Sequence, residues 1–488
     1  MEGIQVRLTD STAVTVPASL DCLSTYVLLE QEDWFEKELP FVRNFLRPGM
    51  RALDIGANYG VYSVGMANVI GSSGHVWAVE PSDRTCRFLR HTLIHNKMAH
   101  VTVQQCALSD RAGRGRLSMR SNSELNSLVE GGESSEEVEI DTLDRLAARL
   151  AIQGIDFVKL DAEGEEMAIV SGGSEFFHAE DPLVMFEVKH GQQVNLELAT
   201  AFRSYGYQIY RLIGPPALLV SVDPDFVLDG FELNLFACKD SRATLLEGRG
   251  LLLRAPSLSE GTELGVGTKL FLSQVFASGW PITRIATTSA LLESLDTYAH
   301  WRQVEANTGG RFGALQSTFA HLDATAARMP RVEVFSLLAR AALELGRRGT
   351  AILALEALLK VASRHGAAVA DPTWPAARRY DSIPVSGDLL TWLGAAAVEA
   401  LVSSSEFSGF FSGPKMLTYL DWLRATPYAS APMERRRQLQ QLQAGLTAAI
   451  QPSPLLSVTA PEHLNSEFWR CAAREQTTMP AGLVVTIA

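Results

Sequence analysis

Between about residues 50 and 240, short apolar runs alternate with stretches of helical period. The runs at 50–55, 75–79, 101–107, 156–160 and 183–188 predict strands. The stretches at 59–70, 84–97, 167–177 and 196–204 predict the helices between them. Strand and helix in alternation imply a parallel sheet with helices on both faces. Buried strands of that kind are apolar on both sides, as ALDIG and LVMFEV are. The first fifty residues depart from this plan, with a hairpin (IQVRL, AVTVP) and then a helix over 33–45. Residues 111–141 are rich in Ser, Gly and Glu and read as an excursion with two short strands, 116–119 and 138–140.

After residue 240 the strand pattern fades. Ala-, Leu- and Arg-rich helical stretches follow at 287–297, 314–326, 332–345, 350–363 and 388–402. Residues 334–361 resemble one tetratricopeptide-type hairpin, but a single copy falls short of a stack and a generic helical pair is the plainer reading. Breakers in LEGRG, PSLSEG and GVG place the boundary between residues 240 and 267. The expected organisation is a hairpin and helix cap over 1–48 and a sheet domain over 49–240. A linker over 241–267 and a mainly helical C-terminal domain over 268–488 complete it.

At 488 residues the chain has room for two to four domains of roughly 100–200 residues each. Hydrophobic residues make up 47% and charged residues 20%, which excludes a disordered chain. A formal net charge of −12 argues against nucleic acid binding through a broad basic face. No uncharged apolar run is long enough for a membrane span, and MEGIQVRLTD lacks the pattern of a signal peptide. The five cysteines are scattered without a CxxC pair, as expected of reduced thiols in the cytoplasm.

Candidate chemistry begins at RALDIGANYGVYS. A buried strand ends at Asp54, a turn carries Gly56, Asn58 and Gly60, and a helix follows whose first N–H groups are free for a ligand. Glu80 closes the next strand, 26 positions after Asp54. In a doubly wound sheet these two strand ends are neighbours, and a carboxylate there meets the ribose hydroxyls of an adenosine. CALSD, with Ser109 and Asp110, supplies a third strand end that reaches the adenine. The NAD fingerprint needs a glycine where Asn58 stands, and a pyrophosphate disfavours the additional acid. A sulfonium and an ammonium welcome acids, so the turn suits S-adenosylmethionine.

LDIGANYGVYS, VEP, CALSD, NSLVE, VEIDTLDRL, FVKLDAEGEE, SGG, MFEV and Asn234 in ELNLFACK occur in this order over about residues 45–240. With these motifs the chain resembles the FkbM-type methyltransferases, a branch of the class I S-adenosylmethionine-dependent fold. The resemblance implies a doubly wound, Rossmann-like α/β sheet of seven strands in the order 3-2-1-4-5-7-6, the seventh antiparallel. It implies O-methylation of a hydroxyl on a sugar, glycolipid, polysaccharide or polyketide-like acceptor. It also places Asp54, Gly56, Asn58, Gly60, Glu80, Ser109 and Asp110 around the cofactor.

Methyl transfer to an alcohol needs in-line alignment and a group to take the hydroxyl proton. The acceptor sits above the carboxyl ends of the fourth and fifth strands, where Asp161 and Glu187 end KLD and MFE and His190 follows. These three are the catalytic candidates, in that order. Asp161 and Glu187 offer oxygens that suit magnesium, but no third ligand is evident and no metal site is assigned. Glu163, Glu165 and Glu166 follow into a helix, where complementing the helix dipole and serving the site are equally open readings. Lys159 shares a sheet face with Asp161. Tyr59 and Tyr62 either stack on the cofactor or pack. His91 and His95 have zinc-like spacing without the Glu of HExxH, and MERRRQ (433–438) reads as a solvated basic face. Two alternatives stand beside methyl transfer. One is an NAD-dependent oxidoreductase on a similar sheet. The other is a helical protein that binds a partner and carries an inactive methyltransferase domain.

Overall fold

The computed structural model describes residues 1–118, 128–129, 135–190, 193–194, 196–222, 228–255, 265–280, 289–303, 308–364, 367–446 and 453–487. Its centre is a nine-stranded sheet. The strands are β1 (Arg51–Ile55), β2 (His75–Val79), β3 (Val101–Gln104), β4 (Phe157–Leu160), β5 (Leu183–Glu187), β6 (Gln208–Ile213), β7 (Leu218–Ser221), β8 (Asn234–Cys238) and β9 (Leu252–Leu253). They lie in the order β9-β7-β6-β8-β5-β4-β1-β2-β3. The first five are parallel, and β8 runs antiparallel between β5 and β6. The seven strands from β3 at one edge to β6 have the expected order, but the count of seven is corrected to nine by β7 and β9 at the other end. A turn at 214–217 folds β7 back on β6, and β9 adds to β7.

The strands are buried on both faces, which is why they read as continuous apolar runs. Ala52, Phe157 and Met185 enter one core, while Leu53, Val158 and Val184 enter the other. Expected strand 101–107 is two pieces. Val101–Gln104 joins the main sheet, whereas Ala107–Leu108 pairs with Ser135–Asp141 in a four-stranded sheet that also holds Gly113–Ser118 and Leu128–Val129. Gly113–Ser118 and Ser135–Asp141 answer the two strands expected in the excursion, and Leu128–Val129 is a third that the sequence does not mark.

The N-terminal hairpin pairs Glu2–Arg7 with Ala13–Pro17. The predicted helix over 33–45 is shorter, Glu38–Phe45, and a second helix, Leu23–Gln31, precedes it. Residues 23–30 are all buried, so no polar face marks that helix in the sequence. His91 Nδ1 lies 3.1 Å from Thr15 Oγ1, tying the helix Asp83–His95 to the hairpin.

Where the sequence predicts a linker over 241–267, the chain forms the helix Asp240–Gly248 and then β9. Its apolar residues Ala243, Leu246, Leu251 and Leu252 belong to the core beneath the sheet. Successive helices follow at Ser289–Arg302, Thr308–Arg328, Val332–Glu344, Arg348–Ala362 and Leu389–Ser405, each packed on the next. They enclose Trp301, Trp374 and Trp392, and their core takes in Ile213, Leu218 and Val220 of the β6–β7 hairpin. Among the described residues no helix is long and apolar enough to cross a membrane.

The last part of the helical half returns to the N-terminus. Leu439, Leu456, Phe468, Trp469 and Ile487 lie in the same core as the hairpin and β1. Val485–Thr486 pairs with Glu2–Gly3, and Asn465 exchanges two hydrogen bonds with the Arg7 backbone. The MERRRQ segment is not a solvated face. Arg435 and Arg436 are 2% and 3% exposed and pair with Glu32 and Glu30 of the N-terminal helix. The Glu32 carboxylate also accepts from the Leu464 and Asn465 N–H groups at 2.8–2.9 Å and lies 3.1 Å from His463. Burial alone would raise the Glu32 carboxyl, but His463, Arg435 and these N–H groups hold it below its ordinary value.

Candidate active site

The carboxyl ends of β1, β2, β4 and β5 carry the predicted site residues. In parallel strands, aligned residues share a sheet face, and so do residues two apart. Asp54 aligns with Lys159, Lys159 with Met185, and Glu187 with Asn234. One face therefore presents Asp54, Lys159, Asp161, Glu187 and Asn234 together.

Asp54 is fully buried and accepts a 2.6 Å hydrogen bond from Ser63 on the helix Val61–Ile70. Its other oxygen, Oδ1, is buried without a hydrogen-bond partner. Burial raises its carboxyl above the ordinary value, with Lys159 and Ser63 pulling the other way. The turn after it is fixed by its glycines. Gly56 has φ +78°, and a Cβ there would stand 1.7 Å from the Asp161 carbonyl oxygen. Gly60, at φ +92°, would place a Cβ 2.5 Å from Leu89 Cδ1. The missing side chains let the turn close against β4 and the helix Asp83–His95. Asn58 has φ +48°, and its N–H donates to Glu80 Oε2 at 3.0 Å.

Glu80 also accepts the Ser82 N–H at 3.0 Å, and burial pushes its carboxyl up to about 7. The sequence pairs Asp54 with Glu80 through a general rule, and the turn joins them physically through Asn58. Ser109 donates to Glu165 at 3.0 Å, while Asp110 beside it is exposed. Tyr59 packs edge-on against Phe88.

On the acceptor side, Lys159 is 4% exposed and holds Asp161 at 2.8 Å, with its ammonium 5.2 Å over the Tyr62 ring. Tyr62 donates in turn to Glu36. Glu36 comes from the N-terminal segment, and no local motif marks it. Its carboxyl is raised by burial and by Asp161, and Trp34 and Tyr62 are its hydrogen-bond donors. Glu187 is pushed far above the ordinary carboxylate range by burial, then by Asp161, Glu163 and Glu166. Oxygens of Asp161, Glu166 and Glu187 all lie within 4.8 Å of one another. Glu166 is thus the third oxygen donor that the sequence leaves out. It also braces the loop after β4, accepting from the Ala162 N–H at 2.7 Å and from the Gly164 N–H. Asn234 is 2% exposed, and its Nδ2 is buried without a partner beside Glu187. His190 lies in a two-residue strand, Lys189–His190, and its side chain lies outside the described residues.

Asp54, Glu80 and Asp161 are three acids at three neighbouring strand ends. This donor set fits a ligand with a ribose diol and cationic groups, and Asp54 Oδ1 still lacks its partner. It does not fit a pyrophosphate.

Among solved structures, methyltransferase FkbM from Methylobacillus flagellatus KT is 18% identical, with a TM-score of 0.28, over 41% of this chain and 50% of that one. The chain thus spans half the length of that relative. A SAM-dependent O-methyltransferase from Thermotoga maritima is 14% identical over 49% of this chain and 92% of its own, with a TM-score of 0.26. Aeropyrum pernix fibrillarin, solved with natively bound S-adenosyl-L-methionine, is 16% identical over 44% and 73%, with a TM-score of 0.25. No curated protein matches the chain. Residues 54–209, which run from the Asp54 turn past Glu187 into β6, match the model of the methyltransferase FkbM domain.

Proposed function

We propose that this protein transfers the methyl group of S-adenosylmethionine to a hydroxyl oxygen of a small-molecule or glycan acceptor. The observation that carries the reading is the row of acids, Asp54, Glu80 and Asp161, at adjoining strand ends around the Gly56–Gly60 turn, within the FkbM-matching stretch. When bound, S-adenosylmethionine supplies an electrophilic methyl carbon on a sulfonium. Glu80 holds the ribose hydroxyls with the lone pairs left over from Asn58 and Ser82. Asp54 and the turn face the amino-acid end, and Ser109 and Asp110 flank the base.

The two catalytic acids take different parts. Glu187 keeps its proton at neutral pH and donates a hydrogen bond to the acceptor oxygen, with the Asn234 amide beside it. Asp161, oriented by Lys159, takes the hydroxyl proton as the oxygen attacks. His190 stays a third candidate through its place after β5. A second reading adds magnesium. The proximity of Asp161, Glu166 and Glu187 favours it, and oxygen donors are what that ion takes.

Calorimetric titration with S-adenosylhomocysteine tests the reading. Binding is expected, weakened at least about tenfold by Glu80→Ala as a charge-assisted contact is lost. Folded protein that ignores S-adenosylhomocysteine and binds NAD instead would sink it. Loss of acceptor methylation on chelation, restored by magnesium, would establish the metal.

A further inference from the structure

A cavity of about 260 Å³ opens where the β6–β7 turn meets the helical half. Gly214 and Pro215 line it from the sheet. Arg378, Arg379 and Glu344 line it from the helices, together with Ser403 of the helix Leu389–Ser405. The two halves are fastened at its rim. Gly214 N–H donates to the Glu344 carbonyl at 2.8 Å, and Arg211 to the Leu345 carbonyl at 2.7 Å.

The charges around this cavity do not balance. Arg340 is committed to Glu344 at 2.8 Å, to Asp381 at 2.8 Å and to the Pro375 carbonyl at 2.9 Å. Arg379 grips Glu399 with two nitrogens at 2.9 Å and the Tyr428 carbonyl at 2.7 Å. Arg302 is held by Asp381 at 3.0 Å. The acids are used up in the same way. Both Glu344 oxygens already accept from Tyr298, Trp301 and Arg340. Arg378, with about a third of its side chain exposed, is the most weakly paired of these cations. Among the described residues its recorded partner is Glu344, at 3.7 Å, beyond hydrogen-bond distance. Burial, and then Arg340 and Arg302 against the pull of Glu344, depress its guanidinium below the ordinary value. A guanidinium has five donors in a fork that matches an oxyanion.

We propose that this cavity is a binding site for a small oxyanion, a carboxylate or phosphate group, taken by Arg378 with Ser403 on the neighbouring wall. The volume lies below that of a drug-sized pocket and suits a small ion or the charged end of a longer molecule. Leu343, Ala376 and Ala400 give part of the lining an apolar character, which lowers the local dielectric beside a charged contact. Because the turn and both halves meet here, occupancy fixes the helical half against the sheet.

The test is calorimetric titration of the full chain with inorganic phosphate on one arm and acetate on the other. It needs no methyl donor, so its outcome is separate from that of the methyl-transfer reading. Saturable binding of one probe is expected, weakened about tenfold or more in Arg378→Gln and less in Arg378→Lys. The arm that binds identifies the phosphoryl or the carboxylate source. Absence of binding on both arms up to about 10 mM overturns the proposal, as does binding unchanged in Arg378→Gln. The melting temperature supplies the second readout. A cation paired this weakly predicts an equal or higher value in Arg378→Gln without probe. A clear fall instead assigns Arg378 to structural pairing with Glu344.

Discussion

Two groups of buried acids in this protein meet opposite fates. Glu32 is 1% exposed, and its carboxylate is met by Arg435, His463 and two backbone N–H groups, which hold its carboxyl below the ordinary value. Buried Glu80, which accepts two backbone N–H groups, and half-buried Glu187 lie at strand ends where burial outweighs the compensation, and their carboxyls are raised. Asp54 Oδ1 and Asn234 Nδ2 add two buried polar atoms without partners on the same sheet face. A partnered buried charge holds segments together, whereas an unpartnered group is a cost that a ligand can offset. The comparison separates the clasp from the site without reference to any motif.

The strongest way to break it is to remove the clasp. A chain lacking residues 454–487 loses Leu456, Phe468, Trp469 and Ile487 from the core and leaves Glu32 with Arg435 but without His463 and the Leu464 and Asn465 N–H groups. Cooperative unfolding, followed by circular dichroism in denaturant, is expected to disappear. A truncated chain that still unfolds sharply would show the clasp to be ornamental. Next, Glu32→Ala is expected to cost about 3–5 kcal/mol in urea unfolding, because it leaves Arg435 buried without its charge partner. The pH dependence follows from the lowered carboxyl. The Glu32 contribution is fully present above the unfolded value of 4.5 and is lost as pH falls through the folded value.

At the site the sign reverses. Glu187→Gln is expected to stabilise the protein by about 1–3 kcal/mol at pH 8, since a neutral amide escapes the cost of taking up a proton on folding. A carboxyl raised in the fold contributes stability that is fully present below the unfolded value of 4.5 and lost as pH rises toward the folded one. The gain over wild type therefore vanishes below about pH 4.5. Urea melts at the two pH values check it, and a destabilised Glu187→Gln at pH 8 would place Glu187 with the structural acids. The smallest effect is expected at Glu166→Gln, about 1 kcal/mol in the same assay, because the amide oxygen can still accept from Ala162 or Gly164.

The donor side of the site is legible because its parts are close in sequence. Asp54, Gly56, Asn58, Gly60 and Glu80 fall within 27 residues, and the geometry of one strand–turn–helix unit relates them. The acceptor side is legible only where it ends a strand. Asp161 and Glu187 were readable from KLD and MFE. Glu36 reaches the same place from a loop of the N-terminal segment, through Tyr62, and no spacing rule connects residue 36 to residue 161. Glu166 read equally as a helix-dipole acid or a site acid, since composition cannot tell a carboxylate that braces its own loop from one that faces solvent. The arginines at 435 and 436 misled for a related reason. A run of charges signals exposure only on average, and here buried acids from residues 30 and 32 answer it.

By itself the sequence determined the alternation of strands and helices and the acid-lined turn, while the strand order came only with the resemblance its motifs carry. The alternation and the turn follow from local periodicity and from the backbone freedom of glycine. Tertiary structure decided the two added strands, the folding of residues 240–253 of the supposed linker region into a helix and a strand, and the return of the C-terminal segment to the N-terminal hairpin. It also decided which acids are answered by cations and which are left at the site. These depend on contacts between residues hundreds of positions apart, and the free energy of a buried charge is set by its neighbours in space.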